Sequence, residues 1–183
     1  EIFEGFRQAM PKIAAKFDDH TMVVRPHPSE DGDTYREITE SIENAQLEHA
    51  GSPYTWILGA NAVIHNNSTI GVESVLLDQP TFAYCPVEDP EYELILPNKV
   101  SRKVTSYDEL ETGISEAIEV ESPSHELSGN QHDLLESYFR NTDANGAKRV
   151  TAVIDGVEQN DTWNNGNLDV SAKKRLKRTL KRF

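Results

Sequence analysis

The chain has 183 residues, 37% of them hydrophobic, with 31 acidic residues against 18 basic ones and a formal charge of −13. This length and apolar content suit one well-cored domain with room for an appendage and exclude a disordered chain. No apolar run approaches the roughly 20 residues a spanning helix needs, and Glu1-Ile2-Phe3-Glu4 lacks signal-peptide character, so a cytoplasmic location is expected.

Ile2, Phe3, Phe6, Met10, Ile13 and Phe17 recur at helical spacing, and Pro11 either kinks this amphipathic helix or starts a second one. Thr21 to Arg25 reads as a short strand ended by Pro26 and Pro28, which cannot donate to a ladder. A helix is expected from about Thr34 to Ile42, and a weak strand through Ala45, Leu47 and His49. Ser52-Pro53 supplies N-cap and N1 chemistry for a short helix through Leu58. Ala62-Val63-Ile64 is a buried strand, Asn66 to Thr69 a polar turn, Ser68 to Leu77 a helix, and Thr81 to Tyr84 the next strand.

The acidic, Pro-rich stretch from Cys85 to Asn98 reads as a surface flap contributing little to the core. Cys85 is the only cysteine, which excludes an internal disulfide and a cysteine-based zinc site; packing is its expected role. Val100 to Thr105 is a possible strand, and Ser106-Tyr107-Asp108-Glu109 is a capping box opening a helix to about Glu119. Helices follow from about Gln131 to Arg140, with Leu134, Leu135, Tyr138 and Phe139 inward, and from about Ala147 to Val157, with Val150, Val153, Ile154 and Val157 inward. Alternating strands and helices imply an α/β fold, a doubly wound parallel sheet with right-handed crossovers and closing C-terminal helices. The expected organisation is a domain over residues 1–157, a polar linker over 158–170 and a basic tail over 171–183. The missing initiator Met makes a longer parent chain the expectation.

Two turns could carry chemistry. Arg25-Pro26-His27-Pro28 sets a donor fork and an imidazole at the carboxyl end of a strand, within a stiff diproline frame. Such groups can grip a phosphate, although a solvated Arg and a His satisfied by backbone are the commoner outcome. Asn66, Asn67, Ser68 and Thr69 offer side-chain polar groups and main-chain N–H groups at a helix start, which serve either an anion or plain N-capping. Glu73 falls in the first helical turns, near enough to accept hydrogen bonds from a ribose or simply to complement the dipole. His65 and Gly71 flank the turn, with packing the expected role of His65. The other histidines show no metal-ligand spacing, so no metal site is expected, and neither a Gly-rich dinucleotide fingerprint nor a Walker sequence occurs.

In order, Val23-Val24-Arg25-Pro26-His27-Pro28-Ser29-Glu30 and Ala62-Val63-Ile64-His65-Asn66-Asn67-Ser68-Thr69-Ile70-Gly71-Val72-Glu73, backed by Leu77-Asp78-Gln79-Pro80, resemble the C-terminal half of bacterial GT-B glycosyltransferases. The chain is most similar to surface carbohydrate biosynthesis proteins, and more distantly to capsule Kdo transferases, sialyltransferases and polyol-phosphate transferases. The resemblance covers about Ile2 to Val157 and implies a Rossmann-like domain that binds a CMP- or UDP-linked sugar donor, with no other cofactor. It implies that His27-Pro28 and Ser68-Thr69 contact the donor phosphate, with Arg25 and Asn67 beside them, and that Glu73 meets the ribose or sugar. Pro28, His65, Asn66 and Gly71 would line the site. The N-terminal Rossmann-like domain that normally brings the acceptor and the catalytic base is not represented, so no catalytic base is assigned and this chain alone is expected to turn over nothing.

The competing expectations are a sugar-nucleotide epimerase of the same architecture and a non-catalytic nucleotide-binding or scaffold module. Seven bases crowd residues 173–182, leaving 11 basic against 31 acidic residues in the rest of the chain. That acidic body repels nucleic acid. In the tail, Leu176, Leu180 and Phe183 share one face of a basic amphipathic helix, which could lie on an anionic membrane where a glycan or lipid-linked acceptor resides.

Overall fold

The strands are three or four residues long, and Pro or polar turn residues set their limits. In a computed structural model, residues 1–27, 30–87, 95–120, 124–139 and 146–158 are described. Helix α1 (Ile2–Lys16) runs unbroken through Pro11 and leads into β1 (Met22–Val24), which stops before Arg25-Pro26. Helix α2 (Gly32–Glu40) starts at Asp31, whose side chain accepts from the Asp33 N–H, and precedes β2 (Ala45–Leu47). Then come α3 (Pro53–Gly59), with its proline at N1, and β3 (Val63–His65). Helix α4 (Ile70–Leu76) is two turns long and feeds β4 (Thr81–Tyr84). Helix α5 (Ile95–Val100), β5 (Arg102–Val104), α6 (Tyr107–Glu119), α7 (Gly129–Tyr138) and α8 (Gly146–Glu158) complete the order.

Among the described residues all pairing is parallel, in two sheets: β1 beside β2, and β3-β4-β5 with β4 central. Every residue of β4 is buried, as expected of a parallel strand covered on both faces. On one face Phe82 and Tyr84 join Val104, Ala9 of α1, and Leu110, Ile114 and Ala117 of α6. The Phe6 ring meets Tyr84 edge-on at 5.2 Å. Gly113 lets α6 approach, because a Cβ there would stand 2.4 Å from Phe82 Cε1. A second cluster joins Val72 and Val75 of α4, Val100 of α5 and Leu135 of α7.

The described residues form two compact units, Glu1–Leu135 and Glu136–Phe183, and both sheets lie in the first. Two expectations change. The stretch taken as a flap from Cys85 to Asn98 contains the start of α5, and Pro97, Asn98 and Val100 are buried, so its end is core. Tyr138, Phe139, Val150 and Ile154, expected inward, are exposed. Helical periodicity marks an apolar face but does not supply the surface that covers it. The capping box is present: Ser106 Oγ accepts from the Glu109 N–H, and the Glu109 carboxyl is held below its ordinary range first by the Thr105 N–H and hydroxyl and then by the Ser106 N–H. The tail over 171–183 and most of the expected linker lie outside the described residues.

Candidate functional site

The carboxyl ends of β1 and β3 open on one cavity of about 1820 Å³, which continues between the two strands along α1. It is lined by Arg25 and His27 from the β1 end, by His65 to Thr69 and Glu73 from the β3 end, and by Trp56 of α3. The two turns singled out in the sequence, some forty positions apart, therefore line the same cavity. Pro28 lies outside the described residues, and Gly71 does not line the cavity.

Several of these side chains are already engaged. The Arg25 guanidinium donates to the Ala50 carbonyl at 2.9 Å and to Gly51 at 3.3 Å, and stacks over Trp56 at 5.6 Å. Trp56 Nε1 donates to the same Ala50 carbonyl at 3.0 Å, so Arg25 braces the loop after β2 and keeps only its remaining donors for a ligand. The Ala50 N–H, more than any other group, holds the Glu48 carboxyl below its ordinary range. His27 is exposed, and its main-chain N–H donates to Glu30 Oε2 at 2.7 Å. Glu30 also accepts from the Tyr35 hydroxyl at 2.9 Å, and Tyr35 packs edge-on against Phe3, so α1 and α2 fix the turn that presents the imidazole.

The second turn is built on amides. Asn66 Nδ2 donates to the Tyr84 carbonyl at 2.8 Å, tying the end of β3 to the end of β4. Asn67 adopts φ +49°, a left-handed conformation that Asn tolerates better than most residues. Its N–H donates to Asn98 Oδ1 at 3.1 Å, and the buried Asn98 amide donates back to Asn67 Oδ1 at 2.7 Å. Asn66, expected to line the site, and Asn67, expected beside the phosphate, therefore shape the turn, and the Asn67 N–H is committed to Asn98.

His65 is 4% exposed and does not face a ligand as a charge. Ser101 Oγ donates to the Pro97 carbonyl at 2.8 Å, so the 2.8 Å contact between His65 Nε2 and Ser101 Oγ has the imidazole as donor. The ring is the neutral Nε2–H tautomer, with Nδ1 buried and unpartnered. Burial lowers its pKa to about 4. Gly71 is explained by the same ring: a Cβ there would stand 2.2 Å from His65 Nε2. Its role is close approach of α4, not ligand lining.

At the start of α4, the Ile70 N–H donates to Ser68 Oγ, the Gly71 N–H to the Ser68 carbonyl, and the Val72 and Glu73 N–H groups to the Thr69 carbonyl. Among the described residues, the main-chain N–H groups of Ser68 and Thr69 donate to no protein acceptor, and Thr69 is exposed. Two N–H groups and two hydroxyls remain for an anion at this turn, with part of the Arg25 guanidinium on the other. Glu73 is half-buried and lines the same cavity. Sequence reasoning missed Trp56, Glu30, Asn98 and Ser101; only Glu30, inside the quoted motif, left a signal.

Among the described residues, no group of three His, Cys, Asp or Glu side chains is placed to hold a metal ion, and no helix is long and apolar enough to cross a membrane. Comparison of the chain with protein-family models, with curated proteins and with solved structures returns no match.

Proposed function

We propose that the cavity at the carboxyl ends of β1 and β3 binds the phosphate of a nucleotide-linked sugar, within a doubly wound, Rossmann-like donor half of a GT-B glycosyltransferase of surface polysaccharide synthesis. The observation that supports this reading is the convergence of Arg25 and His27 with Ser68, Thr69 and Glu73 on one cavity. In parallel α/β sheets ligands bind outside the carboxyl ends of the strands, where the connectivity changes direction. In a doubly wound sheet, the boundary between the β1-β2 pair and the β3-β4-β5 sheet would be that position.

In this reading the hydroxyls and N–H groups of Ser68 and Thr69 hold two phosphate oxygens, and His27 donates to a third. Fixed donors of this kind stabilise the negative charge that builds on a leaving phosphate. Glu73, on the first turn of α4, accepts from a ribose or sugar hydroxyl. The acceptor and the group that deprotonates it lie on another domain, and the acceptor is a glycan or a lipid-linked glycan. The basic segment 171–183 supplies contact with an anionic membrane.

Calorimetric titration of the chain with CMP and UDP tests the site. Binding is expected for one of them, weakened about tenfold by His27→Ala, in line with the loss of one charge-assisted hydrogen bond. Because His27 is exposed, the unfolding free energy should stay within ~0.5 kcal/mol of the parent chain. Unchanged affinity in His27→Ala would remove the phosphate role. An epimerase predicts interconversion of a UDP-sugar by the complete enzyme, and a scaffold module predicts binding without turnover.

A further inference from the structure

We infer that the cleft between β1 and β3 is an acceptor slot for one more parallel β-strand, supplied by the polypeptide that leads into α1, which would join the two sheets in the order β2-β1-new-β3-β4-β5. Main-chain hydrogen bonding points to it. The Met22 N–H donates to Asn44 and the Val24 carbonyl accepts from Glu48, so Met22 and Val24 turn their main-chain groups toward β2. Along a strand these groups alternate sides, so Val23 turns its N–H and C=O the other way. On β3, the Val63 N–H donates to Pro80, which directs Val63 and His65 to β4 and leaves Ile64 directed at the cleft. Among the described residues no hydrogen bond joins β1 to β3. Two edges thus face the cleft behind the candidate site with unpaired donors and acceptors, an arrangement that a strand would satisfy along its length.

The walls fit the same occupant. Met22, Val24, Val63 and Ile64 line the cleft, and the apolar face of α1, through Phe6, Met10 and Ile13, runs along it. Alternate side chains of an inserted strand would meet apolar surface. The direction of α1 identifies the source. Its first residues lie at the carboxyl ends of the strands: Phe3 packs on Tyr35 at 5.4 Å, and Gly5 sits against Pro86, just beyond β4. Its last turn lies at their amino ends, where Asn44 Nδ2 donates to the Ala14, Phe17 and His20 carbonyls. A strand parallel to β1 and β3 would end beside the start of α1 and complete a strand-helix-strand unit with β1. Its final turn would close the mouth of the cavity beside His27 and Thr69. The inference stands whether or not the ligand there is a nucleotide.

A display library tests this: a randomised leader of about eight residues, fused through a short turn ahead of Glu1 of the full chain and selected for protease resistance. Enrichment of uninterrupted Val- and Ile-rich leaders is expected over Gly/Ser leaders, with loss of resistance on placing Pro at the centre. In the selected fusion, amide exchange at Val23 and Ile64 should slow about a hundredfold relative to the unfused chain. Absence of enrichment would overturn the slot. So would protection of Val23 and Ile64 in the unfused chain, because β1 and β3 would then already pair with each other.

Discussion

His65 illustrates how one side chain can be decisive without touching a ligand. It is held neutral because its Nε2–H is committed to Ser101 and its surroundings are dry, so its folded pKa of about 4 lies below the ordinary 6.5. The unfolded chain therefore binds more protons between those values, and stability rises with pH across that window. His125 behaves in the same direction: burial lowers its pKa, its Nδ1 accepts from the Thr81 N–H, and its Nε2 donates to Val100. Unfolding free energy is predicted to fall by about 2 kcal/mol for His65 alone between about pH 7 and about pH 5. Urea titrations should show that drop shrinking in His65→Asn; an unaltered pH dependence would mean that the ring is already protonated or exposed. At Asn67 the left-handed backbone and the reciprocal amide pair with Asn98 can be separated. Both Asn67→Gly and Asn67→Ala lose the acceptor for Asn98 Nδ2 and keep the main-chain N–H donation to Asn98 Oδ1, but Gly relaxes the left-handed backbone while Ala keeps a Cβ there, so Ala should be the less stable by ~1 kcal/mol in unfolding free energy from denaturant titrations.

At the scale of elements, glycines set how closely helices seat on the sheets. Gly71→Ala drives a methyl into His65, and a loss of ~1–3 kcal/mol is expected by thermal or urea unfolding. Gly59, in the last turn of α3, has nothing within 4 Å of a would-be Cβ, so Gly59→Ala should be neutral or stabilising by up to ~1 kcal/mol. Equal effects at the two positions would contradict the packing described for α4. The sequence made β4, the start of α6 and the polar turn after β3 legible, because strand composition, a capping residue and turn chemistry are local signals. It hid α5, whose buried Asn98 acquires meaning only when Asn67, thirty-one positions away, folds against it. It also hid the engagement of Arg25 with the Ala50 and Gly51 carbonyls, since a side chain's partners depend on which loop the sheet brings alongside. The exposed faces of α7 and α8 show the converse, a periodicity read correctly as apolar whose residues Tyr138, Phe139, Val150 and Ile154 are not covered by the described residues.

For the whole molecule, the central feature is the division between β1-β2 and β3-β4-β5, with the candidate site straddling its carboxyl end. In the proposed reading, a ligand held there contacts two turns that belong to different sheets. The excess of acidic residues makes any anion at this position dependent on oriented local donors rather than on the field of the protein. The most direct measurement is backbone amide chemical-shift mapping of the full chain titrated with CMP and with UDP. The account predicts saturable shifts at both Arg25–His27 and Asn66–Glu73 with a single dissociation constant for one of the nucleotides. Shifts confined to one turn, or absent from both with either nucleotide, would contradict it.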